Sequence, residues 1–201
     1  MNNFNKLIIG FAILLAISAS ASARTITVGH SPSADYWNIQ DAINSASNGD
    51  IIEVWYGTYS ENLIINKSVT LKSRDGVNMT FINGFGSGTV ITVTADNVTI
   101  SGFTIENGET GIYLRSSNGT TISSNTITSV RGVDGSPGYD CTGPNCHAGD
   151  GGVGGKAMGI YVTSSTNSTI LSNTISNIFG GNGGRGGHGD SSGDYRGDGG
   201  D

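Results

Sequence analysis

The sequence has few of the residues that hold small exported domains or helical proteins together. Among its 201 residues are 2 cysteines and 3 prolines, and only 13% of the residues are charged. Two cysteines exclude a disulfide-rich framework, and the low charge argues against a coiled coil or a helical bundle. Basic residues are scarcer than acidic ones, 10 against 16, and this balance disfavours nucleic acid as a partner.

Long hydrophobic runs are also missing, except for one at the start. Lys6 precedes an apolar stretch over residues 7–17, and Ala21-Ser22-Ala23 supplies small residues for cleavage. This pattern predicts a secretory signal over residues 1–23. A membrane anchor would need about 18 or more apolar residues, so we expect no stable membrane span after cleavage, and a protein that is secreted, surface-bound or periplasmic.

The chain is instead rich in glycine, serine, threonine and asparagine, and it repeats itself. Residues 110–130 and 158–178 are identical at 11 of 21 aligned positions, and residues 89–108 form a more diverged third copy about 22 residues earlier. A period of this length fits one coil of a solenoid.

Each copy contains short runs of alternating β-branched residues, which predict strands. One copy cannot bury its apolar face alone, so the copies must stack strand on strand with their isoleucines in columns. The predicted fold is all-β, a parallel β-helix of about 22 residues per coil, over residues 50–178. Asn125 and Asn173 are expected to form a hydrogen-bonded ladder at a turn.

Residues 24–49 are predicted to close the first end of this solenoid. Apolar residues at Ile39, Ala42, Ile43 and Ala46 have the spacing of one helical face, which predicts a short helix over residues 36–47. Such a helix would cover the open apolar column. Trp37 beside it is interpreted as packing, with a ligand platform as the alternative.

The opening of the predicted solenoid resembles a known family. The residues from Asn38-Ile39-Gln40-Asp41-Ala42-Ile43 through Gly57-Thr58-Tyr59, Glu61-Asn62 and Lys67 to Thr70-Leu71 are similar to the opening of pectin-lyase-like right-handed β-helix proteins. The later GIYL and SNTI repeats look most like NosD-type periplasmic copper-processing proteins and archaeal or bacterial surface β-helix proteins. The resemblance implies a right-handed helix, whereas its members share the scaffold and not the chemistry.

Two glycine-rich inserts interrupt the repeats. Residues 131–157 contain 9 glycines, and residues 179–201 contain 11. Both follow the same point of the repeat, so they should emerge side by side. Their composition predicts solvated, mobile loops or a disordered tail. Because no closing cap is visible after them, the sequence is expected to be a fragment of a longer protein.

The inserts also carry the candidate metal ligands. Cys141 and Cys146 are predicted to form a local disulfide, and with His147 they could instead bind copper or zinc. Asp190, Asp194 and Asp198 recur every four residues among glycines, a spacing that makes Ca²⁺ a candidate ligand. The glycine-aspartate repeat typical of calcium-binding β-helices is not met.

Candidate carbohydrate contacts lie on the coils. Tyr113 and Tyr161 hold the same repeat position, point outward and are predicted to lie in register. The favoured interpretation is a cross-strand pair that stabilises the sheet, and the alternative is a platform for sugar rings, with Arg115 beside it.

Asparagine begins five N-glycosylation sequons, at Asn66, Asn78, Asn97, Asn118 and Asn167. In an exported protein they are candidate glycan carriers. Sequons also arise by accident in a chain so rich in asparagine, serine and threonine.

The predicted function is a non-catalytic surface or periplasmic β-helix module that binds carbohydrate or cell-envelope material. The alternatives are a polysaccharide lyase or hydrolase with its catalytic coils further along a longer chain, and a copper-handling accessory protein. No catalytic residue is assigned, because no pair of rigidly held carboxylates is visible in the sequence.

Overall fold

The computed structural model describes residues 22–142, 147–189 and 200. These residues form short strands and one helix. In chain order the elements are β1 (Thr25–Val28), α1 (Ile39–Ser45), β2 (Ile51–Val54), β3 (Gly57–Ser60), β4 (Leu63–Ile65), β5 (Thr70–Ser73), β6 (Thr80–Asn83), β7 (Thr89–Val93), β8 (Thr99–Ser101), β9 (Thr104–Glu106), β10 (Thr110–Arg115), β11 (Thr121–Ser123), β12 (Thr126–Thr128), β13 (Val130–Arg131), β14 (Met158–Thr163), β15 (Thr169–Leu171), β16 (Thr174–Ile175) and β17 (Ile178–Phe179).

The strands wind through three parallel sheets in turn. The first sheet has the order β1-β2-β5-β8-β11-β15, the second β16-β12-β9-β6-β3 and the third β14-β10-β7-β4. Each coil places one strand in each sheet, and Thr99 pairs with Thr121, 22 residues further on. The predicted parallel β-helix and the register of its repeats are therefore confirmed.

The core is a set of apolar columns that run along the solenoid axis. In the first sheet, inward side chains from successive coils stack without exposed surface: Ile26, Ile52, Leu71, Ile100 and Ile122. Burial of such a side chain stabilises the fold by about 1.5 to 3 kcal/mol. The columns follow from the alternation in the sequence, because every second residue of a strand faces inward.

The predicted asparagine ladder is present at the turn between the first and second sheets. The side-chain amide of Asn125 donates to the carbonyl oxygen of Ile100 at 3.0 Å and to Oδ1 of Asn173 at 3.1 Å. Its own Oδ1 accepts the backbone N–H of Phe103. Asn125 is buried, and these bonds satisfy polar groups that would otherwise be costly inside the fold.

The helix α1 is shorter than predicted, and side chains of the first coil hold both of its ends. The carboxylate of Glu61 accepts the backbone N–H groups of Ile39 and Gln40 at 2.8 and 2.9 Å. Nζ of Lys67 donates to the carbonyl oxygens of Asn44 and Ala46. These bonds satisfy backbone groups that a helix leaves unpaired at its ends.

The same helix also protects the first edge of the third sheet. The side-chain amide of Gln40 accepts from the N–H of Ile64 at 2.8 Å and donates to its carbonyl oxygen at 3.2 Å, as a neighbouring strand would. An unpaired edge strand invites pairing with another chain. Gln40 therefore gives α1 a second role beyond burying Ile39, Ala42 and Ile43.

β1 and β3 differ from the strands expected from alternation. β1 precedes α1, within residues 24–49 that were predicted as a cap, and β3 lies between β2 and β4. β3 has the burial pattern of a strand in which Tyr59 alone is buried, so it lacks the apolar alternation that marks the other strands. It forms because β6 lies beside it, and Tyr59 pairs with Ile82 in the register.

The glycine-rich inserts are ordered where the structure describes them, which differs from the mobile loops expected from composition. They form three extended segments, residues 131–142, 147–157 and 179–189, which together we call the Gly bundle. β13 and β17 pair at its base, so both inserts leave the solenoid side by side.

Hydrogen bonds join the three segments at every third residue. The first segment donates to the third (Gly132, Gly135 and Gly138 to Phe179, Asn182 and Arg185), the second to the first (Gly149, Gly152 and Gly155 to Tyr139, Ser136 and Val133), and the third to the second (Gly181, Gly184 and Gly187 to Gly155, Gly152 and Gly149). A period of three with bonds only between segments is typical of polyproline II geometry.

Only glycine fits on the inner side of this bundle. A Cβ atom added to Gly184 would collide with the carbonyl oxygen of Ser136, and one added to Gly135 would collide with that of Gly152. The glycines therefore allow close backbone approach rather than mobility. Side chains occupy only the remaining, outward positions of each segment.

Within the described ranges, no helix is long and apolar enough to cross a membrane. The predicted leader lies almost wholly in residues 1–21, outside those ranges.

Candidate functional site

A cleft of about 470 Å³ lies at the base of the Gly bundle, on the corner between the second and third sheets. We call it the basal cleft. Its floor is a column of turn residues with left-handed backbone, Asn107, Ser129 and Asn177, at φ of 55°, 54° and 52°. Backbone bonds hold the column together, since the N–H of Asn107 donates to Ser129 and the N–H of Val130 donates to Asn177.

The two chain segments that enter the bundle provide the walls of the cleft. Arg131 and Phe179 pair across β13 and β17, and both line the cleft. Phe179 is 60% exposed, as are the neighbouring residues of the last coil, Ile170 and Ile175, at 49% and 48%. Gly86 and Gly108 also line the cleft, and as glycines they add no side chain to it.

The charge at the cleft is largely balanced within the protein. The guanidinium of Arg131 donates to Oδ1 of Asp134 at 2.8 Å, and the same oxygen accepts the backbone N–H of Asn182 at 2.7 Å. The bond from Arg131, followed by that from Asn182, lowers the pKa of Asp134 below its usual value. Asp134 therefore stays ionised and offsets the positive charge of Arg131 at the cleft.

The lining groups suit a polar ligand with an apolar face. The aromatic face of Phe179 can pack against the C–H face of a sugar ring, while amide, hydroxyl and guanidinium groups can hydrogen-bond to its hydroxyls. Among the described residues that line the cleft none is a carboxylate, and the nearest one named above, Asp134, is bonded to Arg131.

The sequence did not reveal this cleft. Asn107, Ser129 and Asn177 look like ordinary turn residues, and Phe179 lies at the border of a low-complexity insert. The only signal was that both inserts leave the repeat at the same point, which places Arg131 beside Phe179.

Tyr113 and Tyr161 lie in the predicted register, and their rings stack on each other. Tyr113 pairs with Tyr161, and their rings stack with centroids 5.0 Å apart and planes at 21°. The hydroxyl of Thr163 donates to Oη of Tyr113 at 3.1 Å. The facing sides of both rings are occupied by each other, while Tyr161 is 40% exposed, so a sugar contact on its outer face stays a prediction. Arg115 is exposed at the end of β10.

The predicted metal ligands are only partly within the described residues. Cys141 is disulfide-bonded, and a disulfide sulfur is not the thiolate that binds a metal. Cys146, Asp190, Asp194 and Asp198 lie outside the described residues, so the pairing of Cys141 with Cys146 and the calcium site stay predictions.

His147 is described and exposed. Over the residues that the structure covers, no group of three or more histidine, cysteine, aspartate or glutamate side chains could hold a metal ion.

Trp37 belongs to an aromatic cluster near the first coil. Its ring stacks on His30 with centroids 5.9 Å apart, and His30 in turn lies 4.9 Å from the ring of Tyr59. The neighbouring hollow, lined by His30, Trp55 and Tyr56 among others, measures about 100 Å³. This is small for a sugar-binding site. Trp37 itself is 56% exposed, so its interpretation as a packing residue stays a prediction.

The chain is similar to a family of right-handed β-helix regions and to a cell-surface protein. A family model described as "Right handed beta helix region" matches residues 88–186. A "Cell surface glycoprotein" of Methanothermus fervidus is 40% identical over 118 residues, which are 57% of this chain and 20% of that protein. The chain therefore spans about a fifth of the length of this relative.

Solved structures of similar shape include two polysaccharide-active enzymes. An alginate lyase from Paenibacillus sp. str. FPU-7 superimposes with a TM-score of 0.51 at 21% identity, covering 76% of this chain and 58% of the lyase. A pectin methylesterase in complex with a hexasaccharide gives a TM-score of 0.48 at 16% identity, covering 75% and 50%. At such identities the likeness concerns the fold alone.

Proposed function

Because residues 88–186 match the right-handed β-helix family, we propose that the chain is a cell-surface module that binds neutral glycans in the basal cleft. The surface location is supported by the cell-surface glycoprotein to which the chain is similar. The single observation that carries the binding proposal is the exposed Phe179 beside Arg131, above a column of polar turn residues.

The preference for neutral glycans follows from the electrostatics. Asp134 already occupies the guanidinium of Arg131, and the whole chain has a net charge of −6. A polymer of uronic acids would meet this negative field and would have to displace Asp134. A neutral sugar needs only hydrogen bonds and an aromatic face, both of which the cleft offers.

The two alternative functions have less support. A lyase or hydrolase needs an acid and a base held near the scissile bond, and the described residues of the cleft lining include no carboxylate. The copper site considered from the sequence would use Cys141 as a thiolate ligand, whereas Cys141 is disulfide-bonded.

The proposal is tested by affinity electrophoresis of the protein through gels that contain neutral polysaccharides, alginate or polygalacturonate. We expect retardation in at least one neutral gel and little in the anionic gels. Replacement Phe179→Ala should weaken that retention about tenfold or more, which corresponds to about 1.4 kcal/mol. Tyr139→Ala is the matched control, because Tyr139 is 67% exposed on the Gly bundle but does not line the cleft.

Retention that survives Phe179→Ala would contradict the assignment of the cleft. Stronger retention by alginate than by every neutral polymer would contradict the ligand class. Staining the same gels for degraded polymer tests the enzyme alternative, since a cleared zone would show catalysis.

A further inference from the structure

Four of the five sequons lie on one corner of the solenoid. Asn66, Asn97, Asn118 and Asn167 occupy the turns that lead from the third sheet to the first in four successive coils. Asn78 lies elsewhere, between β5 and β6. All five asparagines are exposed, so exposure of the asparagine does not distinguish them.

The hydroxyl residue two positions later does distinguish them. Thr80 and Thr120, which complete the sequons of Asn78 and Asn118, are fully buried. The hydroxyl of Thr80 accepts from Oγ of Ser73 at 2.7 Å, and that of Thr120 is bonded to Oγ of Ser117 at 2.6 Å. A transferase that recognises this hydroxyl cannot reach either one without unfolding the coil.

Asn118 is restrained at its amide as well. Its Oδ1 accepts from both the backbone N–H and the hydroxyl of Thr166, at 2.9 and 2.8 Å. These bonds tie the side chain to the next coil along the ladder.

In the other three sequons both the asparagine and the hydroxyl residue two positions later are accessible to solvent. Ser68 and Thr99, which complete the sequons of Asn66 and Asn97, are partly exposed, and Thr169, which completes that of Asn167, is exposed. The hydroxyls of Ser68 and Thr99 make no hydrogen bond within the described residues. The hydroxyl of Thr169 makes none there either, and Thr169 lies on β15, whose residues are all exposed.

We propose that the folded protein accepts N-linked glycans at Asn66, Asn97 and Asn167 and not at Asn78 or Asn118. The donor is an oligosaccharide joined through a diphosphate to a lipid. The amide Nδ2 forms a bond to C1 of the sugar, the bond from C1 to the phosphate oxygen breaks, and the amide loses one proton while the lipid diphosphate leaves. A transferase that binds the sequon hydroxyl catalyses the exchange.

The three sites are spread over the corner. Asn97 and Asn167 lie on coils that are separated by the coil of Asn118, so their turns are about 10 Å apart, twice the strand spacing of 4.8 Å. Asn66 and Asn97 lie on adjacent coils but at different points of the turn, since Asn66 directly follows Ile65 and Asn97 comes four residues after Val93, the partner of Ile65. The glycans would line one corner, while the basal cleft lies on the corner between the second and third sheets. The third sheet separates the two, and the cleft would stay open.

The test is treatment of the purified, folded full chain with an oligosaccharyltransferase and its lipid-linked donor, followed by peptide mass spectrometry of each sequon. The same reaction on the urea-unfolded and diluted chain shows the intrinsic reactivity of the five sites. We expect all five to react in the unfolded chain. In the folded chain, occupancy at Asn78 and Asn118 should fall at least tenfold relative to the other three.

Two matched variants separate the accessible sites from the protected ones. Asn167→Gln should remove one glycan from the folded product, whereas Asn118→Gln should leave its mass distribution unchanged apart from the substitution. Equal modification of Asn118 and Asn167 in the folded chain would overturn the proposal. So would a folded chain that is unmodified at Asn66, Asn97 and Asn167 under conditions that modify the unfolded one. Neither result would bear on glycan binding in the cleft.

Discussion

The solenoid and the Gly bundle reach an ordered structure by opposite means. In the solenoid, side chains do the packing, since Ile100 and its neighbours in the column are fully buried. In the bundle, side chains are excluded from the interior, and backbone carbonyls face glycines at contact distance. Alternation with period two encodes the first region, and glycine with period three encodes the second.

The difference has an energetic consequence. Each buried isoleucine contributes about 1.5 to 3 kcal/mol, whereas each intersegment hydrogen bond contributes about 0.5 to 1.5 kcal/mol net. Glycine also loses more conformational freedom on folding than other residues. The bundle is therefore expected to depend on the solenoid, which brings the starts of its first and third segments together at β13 and β17.

The largest effect should come from a column residue of the solenoid. Ile100→Ala removes a fully buried side chain from β8 and should lower the free energy of unfolding by about 2 to 5 kcal/mol through a cavity. Chemical denaturation followed by circular dichroism measures this loss. Ile64→Ala is the control, because Ile64 is 55% exposed on β4, and an equal loss for both variants would contradict the column model.

An intermediate effect should come from a bundle glycine. Gly184→Ala forces a Cβ against the carbonyl oxygen of Ser136, and such overpacking costs about 1 to 3 kcal/mol. We expect the amides of Gly135, Gly181 and Gly187 to lose hydrogen-exchange protection while the solenoid amides keep theirs. In Gly180→Ala the added Cβ meets its nearest atom only at 3.6 Å. In this variant the same bundle amides should therefore keep their hydrogen-exchange protection.

The smallest effect should be a pH dependence of the Gly bundle. The pKa of Asp134 is lowered by the bonds from Arg131 and Asn182, and that of Asp140 by the backbone N–H of His188 and then by the charge of Arg185. A lowered folded pKa means that the stabilisation is complete above the ordinary aspartate value of about 3.9 and is lost as the pH falls through the folded value.

Acidification below about pH 4 should therefore shift the amide resonances of the bundle residues around Asp134 and Asp140. A variant with both Asp134→Asn and Asp140→Asn should lack this transition. If its resonances move over the same pH range as those of the unchanged protein, the two carboxylates are not the cause.

The features that the sequence repeat specifies could be predicted from the sequence. The register of Tyr113 with Tyr161 and the ladder from Asn125 to Asn173 followed from repetition alone, because stacked coils bring equal repeat positions together. Prediction from the sequence failed at β3, where only Tyr59 faces inward, and in the inserts, where a high glycine content suggested mobility. The spacing of those glycines was present in the sequence but has meaning only when segments pack against each other.

The sequence by itself determined the solenoid, because β-branched residues in alternation at a period near 22 leave stacked parallel strands as the way to bury them. The tertiary structure alone decided the rest. It brought Arg131 and Phe179 together across β13 and β17, it ordered the glycines into a bundle, and it separated sequons with a buried hydroxyl from those with an accessible one. Each of these depends on contacts between residues far apart in the chain, which no local pattern specifies.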